Sequence, residues 1–333
     1  QSRPGLQGLQ ARPSSLLQPG AFEISVTAGL ETRTTHYVRR SRVAAVSTRI
    51  GWRPIVRRWS VFKVPRFSLI VVQVMSRNNA SRSDTRLPSV GAIRWISLVG
   101  WLLMGSGAFH LAVWYFAGGG WEGDVSWRKP ILFGFSAGAT MLSMAWLAAK
   151  VPPRKGDTPL FYAFGWCMLI EVTLITLQQW RGVPSHFNRD THLDAAILAA
   201  IEILITLATL VIFDLTIRSF RPLKVPADMR LAIRAGMVLL ALGCILGFVI
   251  AGIGHYQHRL GEPHTTYGAA GVLKFPHGMP LHAIQYLPIL AWGLARLGVG
   301  EVRRRAVVRW VVGSMALFTV FSCLQTFAGR DRF

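Results

Sequence analysis

The segment AAILAAIEILITLATLVIFDLTI, residues 195–217, decides the fold class of this chain. Its only charged residues are Glu202 and Asp214, and nearly all the others are apolar. A helix needs about 20 mostly apolar residues to cross the roughly 30 Å hydrocarbon layer of a bilayer. The segment is that long, and it lacks the strict polar and apolar alternation of a transmembrane β-strand. It therefore predicts a membrane-spanning helix.

Six more segments share this length and composition. Hydrophobic residues make up 51% of the chain and charged residues 16%, and beyond residue 92 most of the charges lie between the apolar runs. We expect an all-α protein in which residues 93–333 form a seven-transmembrane-helix bundle. The six further predicted spans are residues 95–117, 131–149, 160–180, 231–254, 281–297 and 307–328.

The lysines and arginines between these spans predict the orientation of the bundle. Basic residues near span ends are retained on the cytoplasmic side of a membrane. Linkers 150–155, 218–230 and 303–305 carry three or four basic residues each, whereas the alternate linkers carry two each. This alternation predicts a cytoplasmic N-terminus and an external C-terminus.

A basic tail precedes the predicted bundle. Residues 1–92 hold 15 Lys and Arg against three acids, which supplies +12 of the net charge of +22. Such a charge suits anionic lipid or nucleic acid, but the tail contains no nucleic-acid-binding motif, so we expect no nucleic acid partner. Its lack of periodicity predicts a disordered tail. An alternative is that it is translated upstream sequence and that the protein starts near Met75.

Pairs of glycines predict close helix packing. Gly134 and Gly138 lie four residues apart in the second span, and Gly243 and Gly247 do so in the fifth. Small residues at this spacing let two helix backbones approach each other. We therefore expect a compact bundle.

Polar residues within the predicted spans lie mostly toward the outer side. Eight of the nine histidines also fall on that side, while His36 lies in the tail. Polar side chains are costly in a bilayer and usually face a bundle interior or a cavity. His186, in a loop, we expect to be solvated. We expect an outward-facing cavity in the lipid bilayer that binds a small-molecule ligand and is lined by His110, Glu171, Gln178, Glu202, His282 and Gln285.

Three functional classes fit such a cavity. A haem protein would use His110 and His282 as axial ligands. A metal-dependent hydrolase at the outer leaflet would hold a transition metal such as zinc with His277, His282 and Glu202. A proton-coupled small-molecule transporter would use Glu171 and Glu202 as protonatable sites. The pattern favours metal or haem binding, although a lone histidine such as His110 is more often a packing residue.

Three short stretches of sequence in the outer half resemble stretches in a known protein family. They are SWRKPILFG at residues 126–134, RGVPSHFN at 181–188 and KFPHGMPLHAIQYLP at 274–288. Together they resemble a family of uncharacterised bacterial multi-pass integral membrane proteins, from about residue 95 onward. The resemblance implies the bacterial cytoplasmic membrane and no named activity. A looser likeness is to seven-helix metal hydrolases such as alkaline ceramidases, whose last span carries a His-x-x-x-His pair that this chain lacks.

Overall fold

A computed structural model describes residues 90–261, 266–267, 270–271 and 273–330. The prediction of a disordered tail lies outside these residues. The described chain is helical apart from the two-residue strands β1 (Thr266–Tyr267) and β2 (Ala270–Gly271), which pair antiparallel. Its helices are α1 (Val90–Ala117), α2 (Arg128–Ala148), α3 (Asp157–Trp180), α4 (His192–Ser219), α5 (Ala227–Arg259), α6 (Lys274–Leu281), α7 (Ala283–Arg296) and α8 (Glu301–Phe327).

Six of these helices are long and apolar enough to cross a membrane, namely α1 to α5 and α8. They match six of the seven predicted spans, which confirms a polytopic, all-helical membrane protein. Large apolar side chains such as Trp101, Leu210 and Trp310 lie exposed on the outside of the bundle, while Phe161 and Leu198 are buried inside. An apolar exterior of this kind is suited to lipid rather than to water.

The predicted span at residues 281–297 has a different structure. The chain breaks at His282, which ends α6 and begins α7. Pro280 precedes the break, and proline cannot donate the backbone hydrogen bond that continues a helix. With 14 residues, α7 is about 21 Å long, which is shorter than the hydrocarbon layer of roughly 30 Å. The predicted span begins directly after Pro280, and the short helix α6 before the break was not predicted.

Helices α6 and α7 together run antiparallel to α5. A Cβ atom added to Gly247 would lie 2.9 Å from the His277 ring, and one added to Gly236 would lie 2.8 Å from the Cα of Ile284. Further along, Asp228 near the start of α5 pairs with Arg304 of α8 at 2.7 Å. Gly247 and Gly236 are about 17 Å apart along the helix axis, so the α6–α7 pair runs beside α5 over at least that length.

Glycines bring the paired helices into backbone contact. A Cβ atom on Gly134 of α2 would lie 2.6 Å from the backbone nitrogen of Gly107 on α1, and one on Gly138 would lie 2.8 Å from the carbonyl oxygen of Gly100. Such distances leave no room for any side chain. The close approach predicted from the glycine spacing is confirmed at Gly134 and Gly138. It is also confirmed at Gly243 of α5, where a Cβ atom would lie 3.1 Å from the backbone nitrogen of Leu281, whereas Gly247 makes room for the His277 ring.

Candidate functional site

Glu171 lies on α3 with its side chain in the bundle interior. Only 3% of the residue is exposed, and its Oε2 atom has no hydrogen-bond partner among the described residues. Cys167, one turn earlier on α3, and Cys244 on α5 lie close enough to interact with it electrostatically. No cation of the described chain pairs with the carboxyl group.

The other buried carboxylates are all paired with arginine. Asp157, Asp194 and Asp228 are 1–2% exposed, and each accepts hydrogen bonds from a guanidinium group at 2.6–2.8 Å. An ionised carboxylate without a partner is unfavourable in an apolar interior, so buried acids are normally paired or neutral. Glu171 is the exception among the described residues.

Gln178 belongs to a closed hydrogen-bond network at the end of α3. Its Nε2 atom donates to Asp194 Oδ1 at 3.0 Å, and the Arg181 guanidinium donates to the same oxygen at 2.6 Å as well as to Gln178 Oε1. Thr191 donates to Asp194 Oδ2 at 2.6 Å and caps the N-terminus of α4. Gln178 thus joins α3 to α4, and its side chain is fully used in doing so.

Both ring nitrogens of His110 are engaged. Nδ1 donates to the Ser106 carbonyl oxygen at 2.7 Å, which leaves Nε2 to accept a bond from the Trp180 indole at 3.0 Å. The ring is 4% exposed and packs beside Trp127 as well as Trp180. A haem iron would have to displace the Trp180 bond, so the surroundings of His110 are those of a packing residue.

His277 and His282 lie near the helix break but bond to different groups. His277 Nδ1 donates to the Gly243 carbonyl oxygen at 2.7 Å. His282 Nε2 is 3.2 Å from the Ser136 hydroxyl of α2. The amide of Gln285 lies beside His282, but outside hydrogen-bonding geometry, and both of its polar atoms are buried without a partner among the described residues.

Glu202 pairs with a histidine that the sequence placed in a loop. Helix α5 continues to Arg259 and carries His255, whose Nε2 atom lies 2.5 Å from Glu202 Oε1. The two side chains are 25% and 38% exposed, so the pair is open on one side. The Phe187 ring packs edge-on against His255 and also fills the space beside Gly254.

Four of the predicted cavity residues have hydrogen-bond partners of their own. His110 bonds to Trp180, Gln178 to Asp194, Glu202 to His255 and His282 to Ser136, while Glu171 stands apart. Within the described ranges, no three His, Cys, Asp or Glu side chains are placed to hold a metal ion together. The predictions of zinc and haem binding gain no support from this arrangement.

A buried charge network lies at the opposite end of the bundle. The pair of Asp214 and Arg218, four residues apart on α4, is present at 3.2 Å. The guanidinium of Arg218 also donates to both carboxylate oxygens of Asp157 at 2.8 and 2.7 Å and to the Pro152 carbonyl oxygen at 2.8 Å. Arg154 in turn donates to Asp214 at 2.8 Å. No sequence period links α3 to α4, so these longer-range partners were missed.

His186 is partly buried and packs against its neighbours, whereas the sequence predicted a solvated side chain. Its Nδ1 atom lies 2.9 Å from the Ser185 hydroxyl, and its ring packs beside Phe133. Burial lowers the pKa of His186 to about 4, and the positive charges of Lys129 and Lys274 add to this effect. His186 is therefore neutral at pH 7.

Comparisons with known proteins identify no relative of this chain. No protein-family model matches the sequence, and no curated protein or solved structure matches it either.

Proposed function

We propose that this protein is a proton-coupled carrier of a small molecule and that Glu171 is its proton-binding group. The observation that supports this proposal is the lone carboxyl group of Glu171, which has a buried oxygen without a partner, while the other buried acids of the described chain have arginine partners. Intramembrane acids without a structural partner are typical of proton relays and transport sites.

The depth of Glu171 fits this role. It lies about 21 Å from the start of α3 and about 14 Å from its end, which is near the middle of the helix. At that depth the carboxyl group is neutral while it has no cation or water beside it. A change of conformation that admits water from one side would release the proton there. Reprotonation from the other side would couple proton movement to that of the solute.

The α6–α7 break supports a carrier over a rigid scaffold. Interrupted helices in membrane proteins line binding sites and permit gating, because their ends need not move as one rod. The break at His282 faces α2 through Ser136, and it is followed by Gln285, whose amide lacks a partner in the described residues. No corresponding arrangement favours the hydrolase or the haem protein.

We further propose that the chain crosses the membrane seven times, with α6 and α7 together as the sixth crossing. The antiparallel path of this pair beside α5 supports that topology. The Lys and Arg distribution then supports a cytoplasmic N-terminus and an external C-terminus. The resemblance of the three outer-half strings to bacterial proteins supports the cytoplasmic membrane of a bacterium as the location.

Carbodiimide labelling tests the proton-binding role directly. Dicyclohexylcarbodiimide reacts with protonated carboxyl groups in apolar surroundings, so we expect mass spectrometry to find it on Glu171 and not on Asp157. Proteoliposomes containing a trapped pH dye would then be challenged with amines, sugars, amino acids and organic acids. We expect one of these classes to drive a proton flux that Glu171→Gln abolishes.

The matched control is Cys167→Ala, one helical turn away on the same face of α3. It shortens a neighbouring buried side chain without changing the carboxyl group, so proton flux should persist. An unlabelled Glu171, or a flux that survives Glu171→Gln, would exclude the proposal.

A further inference from the structure

Phe187, in the loop that joins α3 to α4, has a backbone conformation that a bulky residue rarely adopts. Its φ angle is +61°, and among the described residues it alone has a positive φ without being glycine. A left-handed backbone brings Cβ close to the following carbonyl oxygen, so this conformation is unfavourable for phenylalanine. A residue keeps such a conformation only where the surrounding structure holds it there.

The Phe187 ring is held in a socket on α5. A Cβ atom added to Gly254 would lie 2.6 Å from the ring atom Cε1, so the ring fits there only because position 254 has no side chain. Gly254 is buried, and the neighbouring His255 contacts the ring edge-on, with 5.1 Å between the ring centroids. The packing of the ring in this socket therefore opposes the unfavourable backbone conformation.

The loop that carries Phe187 lies among the ends of five helices. His186, the preceding residue, packs beside the Phe133 ring of α2. Lys129 at the start of α2 and Lys274 at the start of α6 lie close enough to His186 to interact with it electrostatically. Because the Phe187 ring packs on α5, the loop contacts or approaches α2, α5 and α6 in addition to α3 and α4, which it joins.

From this geometry we propose that Phe187 is a plug that closes this end of the bundle and controls the access of water to Glu171. Ring packing holds the plug in place against the unfavourable backbone, and the backbone relaxes once the ring leaves the socket. Closed and open states are thus nearly balanced, as a gate requires. The purpose of the plug rests on the proposed carrier function, but closure itself can be measured without any solute.

The rate at which a positively charged methanethiosulfonate reacts with Cys244 tests the plug. Cys244 interacts electrostatically with Glu171 and lies about 15 Å from Gly254 along α5. Its labelling therefore reports whether water reaches the surroundings of Glu171. The full-length protein would be studied in nanodiscs, which leave both membrane faces accessible, with Cys167 and Cys323 replaced by alanine. We expect slow labelling while Phe187 is in its socket.

Two variants should open the plug in different ways. Phe187→Ala removes the ring and should raise the labelling rate of Cys244 by about ten-fold or more. Its control is Phe116→Ala, which removes a ring that is 83% exposed near the end of α1. Gly254→Ala keeps the Phe187 ring but fills its socket, so it should raise the rate as well. Its control is Gly252→Ala, whose Cβ atom would meet nothing within 4 Å.

Labelling of Cys323 on α8 distinguishes an opened plug from a loosened bundle. With Cys167 and Cys244 replaced by alanine instead, Phe187→Ala should leave the labelling rate of Cys323 unchanged. Equal Cys244 rates in wild type, Phe187→Ala and Gly254→Ala would overturn the proposal, and so would a similar rise at both thiols. Faster labelling of Cys244 in the two variants would support the plug even if no solute drives a proton flux, a result that would exclude only the carrier.

Discussion

Replacing Arg218 by methionine tests whether the buried charge network stabilises the bundle. Arg218 is 2% exposed, and its guanidinium makes two hydrogen bonds to Asp157, one to Asp214 and one to the Pro152 carbonyl oxygen. Methionine keeps most of the length of the side chain but removes all four bonds. The carboxylate of Asp157, only 1% exposed, would keep the backbone N–H of Arg154 at 2.9 Å and, as its nearest remaining cation, the Arg154 guanidinium at 3.8 Å.

The expected loss in the free energy of unfolding follows from the Asp157 carboxylate that remains buried. Removing one partner of a buried ion pair typically destabilises a protein by about 3–5 kcal/mol, because the other charge is left uncompensated. Arg154 offers a contrast within the same network, since its side chain is 46% exposed. Exposed pairs contribute about 0–1 kcal/mol. We therefore expect Arg218→Met to cost about 3 kcal/mol more than Arg154→Met.

Unfolding in mixed micelles of increasing SDS content measures the two free energies on the same scale. The double variant Arg218→Met with Asp157→Leu should recover much of the lost stability, because it removes the stranded charge along with its partner. The reasoning is refuted if Arg218→Met costs less than about 1 kcal/mol, or if the double variant is less stable than Arg218→Met alone.

Three further outcomes are expected. Gly134→Ala should lower the free energy of unfolding by about 1–3 kcal/mol in the same assay, because the added Cβ atom would lie 2.6 Å from a backbone atom of α1. The control Gly105→Ala places its Cβ atom in open space and should change that free energy by less than about 0.5 kcal/mol. The pKa of His186 falls from 6.5 to about 4 on folding, so below pH 6.5 the unfolded chain binds a proton that the folded protein does not. The free energy of unfolding should therefore be highest above pH 6.5 and fall by up to about 3 kcal/mol toward pH 4. His186→Gln should remove this fall. Reporter fusions should place Gly156 in the cytoplasm and Asn188 outside.

Each of these has a clear contrary result. Equal stability of the two glycine variants would mean that α1 and α2 separate easily at their contact. A pH profile unchanged by His186→Gln would assign the acid sensitivity to another group. Reporters of the opposite sign at both positions would invert the proposed orientation.

The sequence predicted the spans well because apolar run length is a local property. Residues 195–217 are recognisable as a span without knowledge of any neighbour, and the structure places them within α4. Local reasoning was less successful where a helix outlasts its apolar run. Hydropathy falls after Gly254, so His255 was assigned to a loop, although α5 continues to Arg259. The partner of Glu202 was missed for that reason.

The candidate site was predicted by residue type but not by pairing. Glu171 and His110 were both identified as polar residues at buried positions, and both are buried. Whether such a residue is free or satisfied depends on a partner far away in the chain. Trp180, 70 residues from His110, occupies its ring nitrogen, and no distant residue of the described chain does the same for Glu171 Oε2. Spacing along one helix cannot distinguish these two cases.

The glycine contacts have a consequence for how the molecule can move. Where two backbones touch without side chains between them, the helices are held at a short distance and any added methyl group would push them apart. Gly107 and Gly134 lock α1 to α2, and Gly236 and Gly243 lock α5 to the α6–α7 pair. We therefore expect each of these two groups of helices to move as one unit in any larger rearrangement of the bundle.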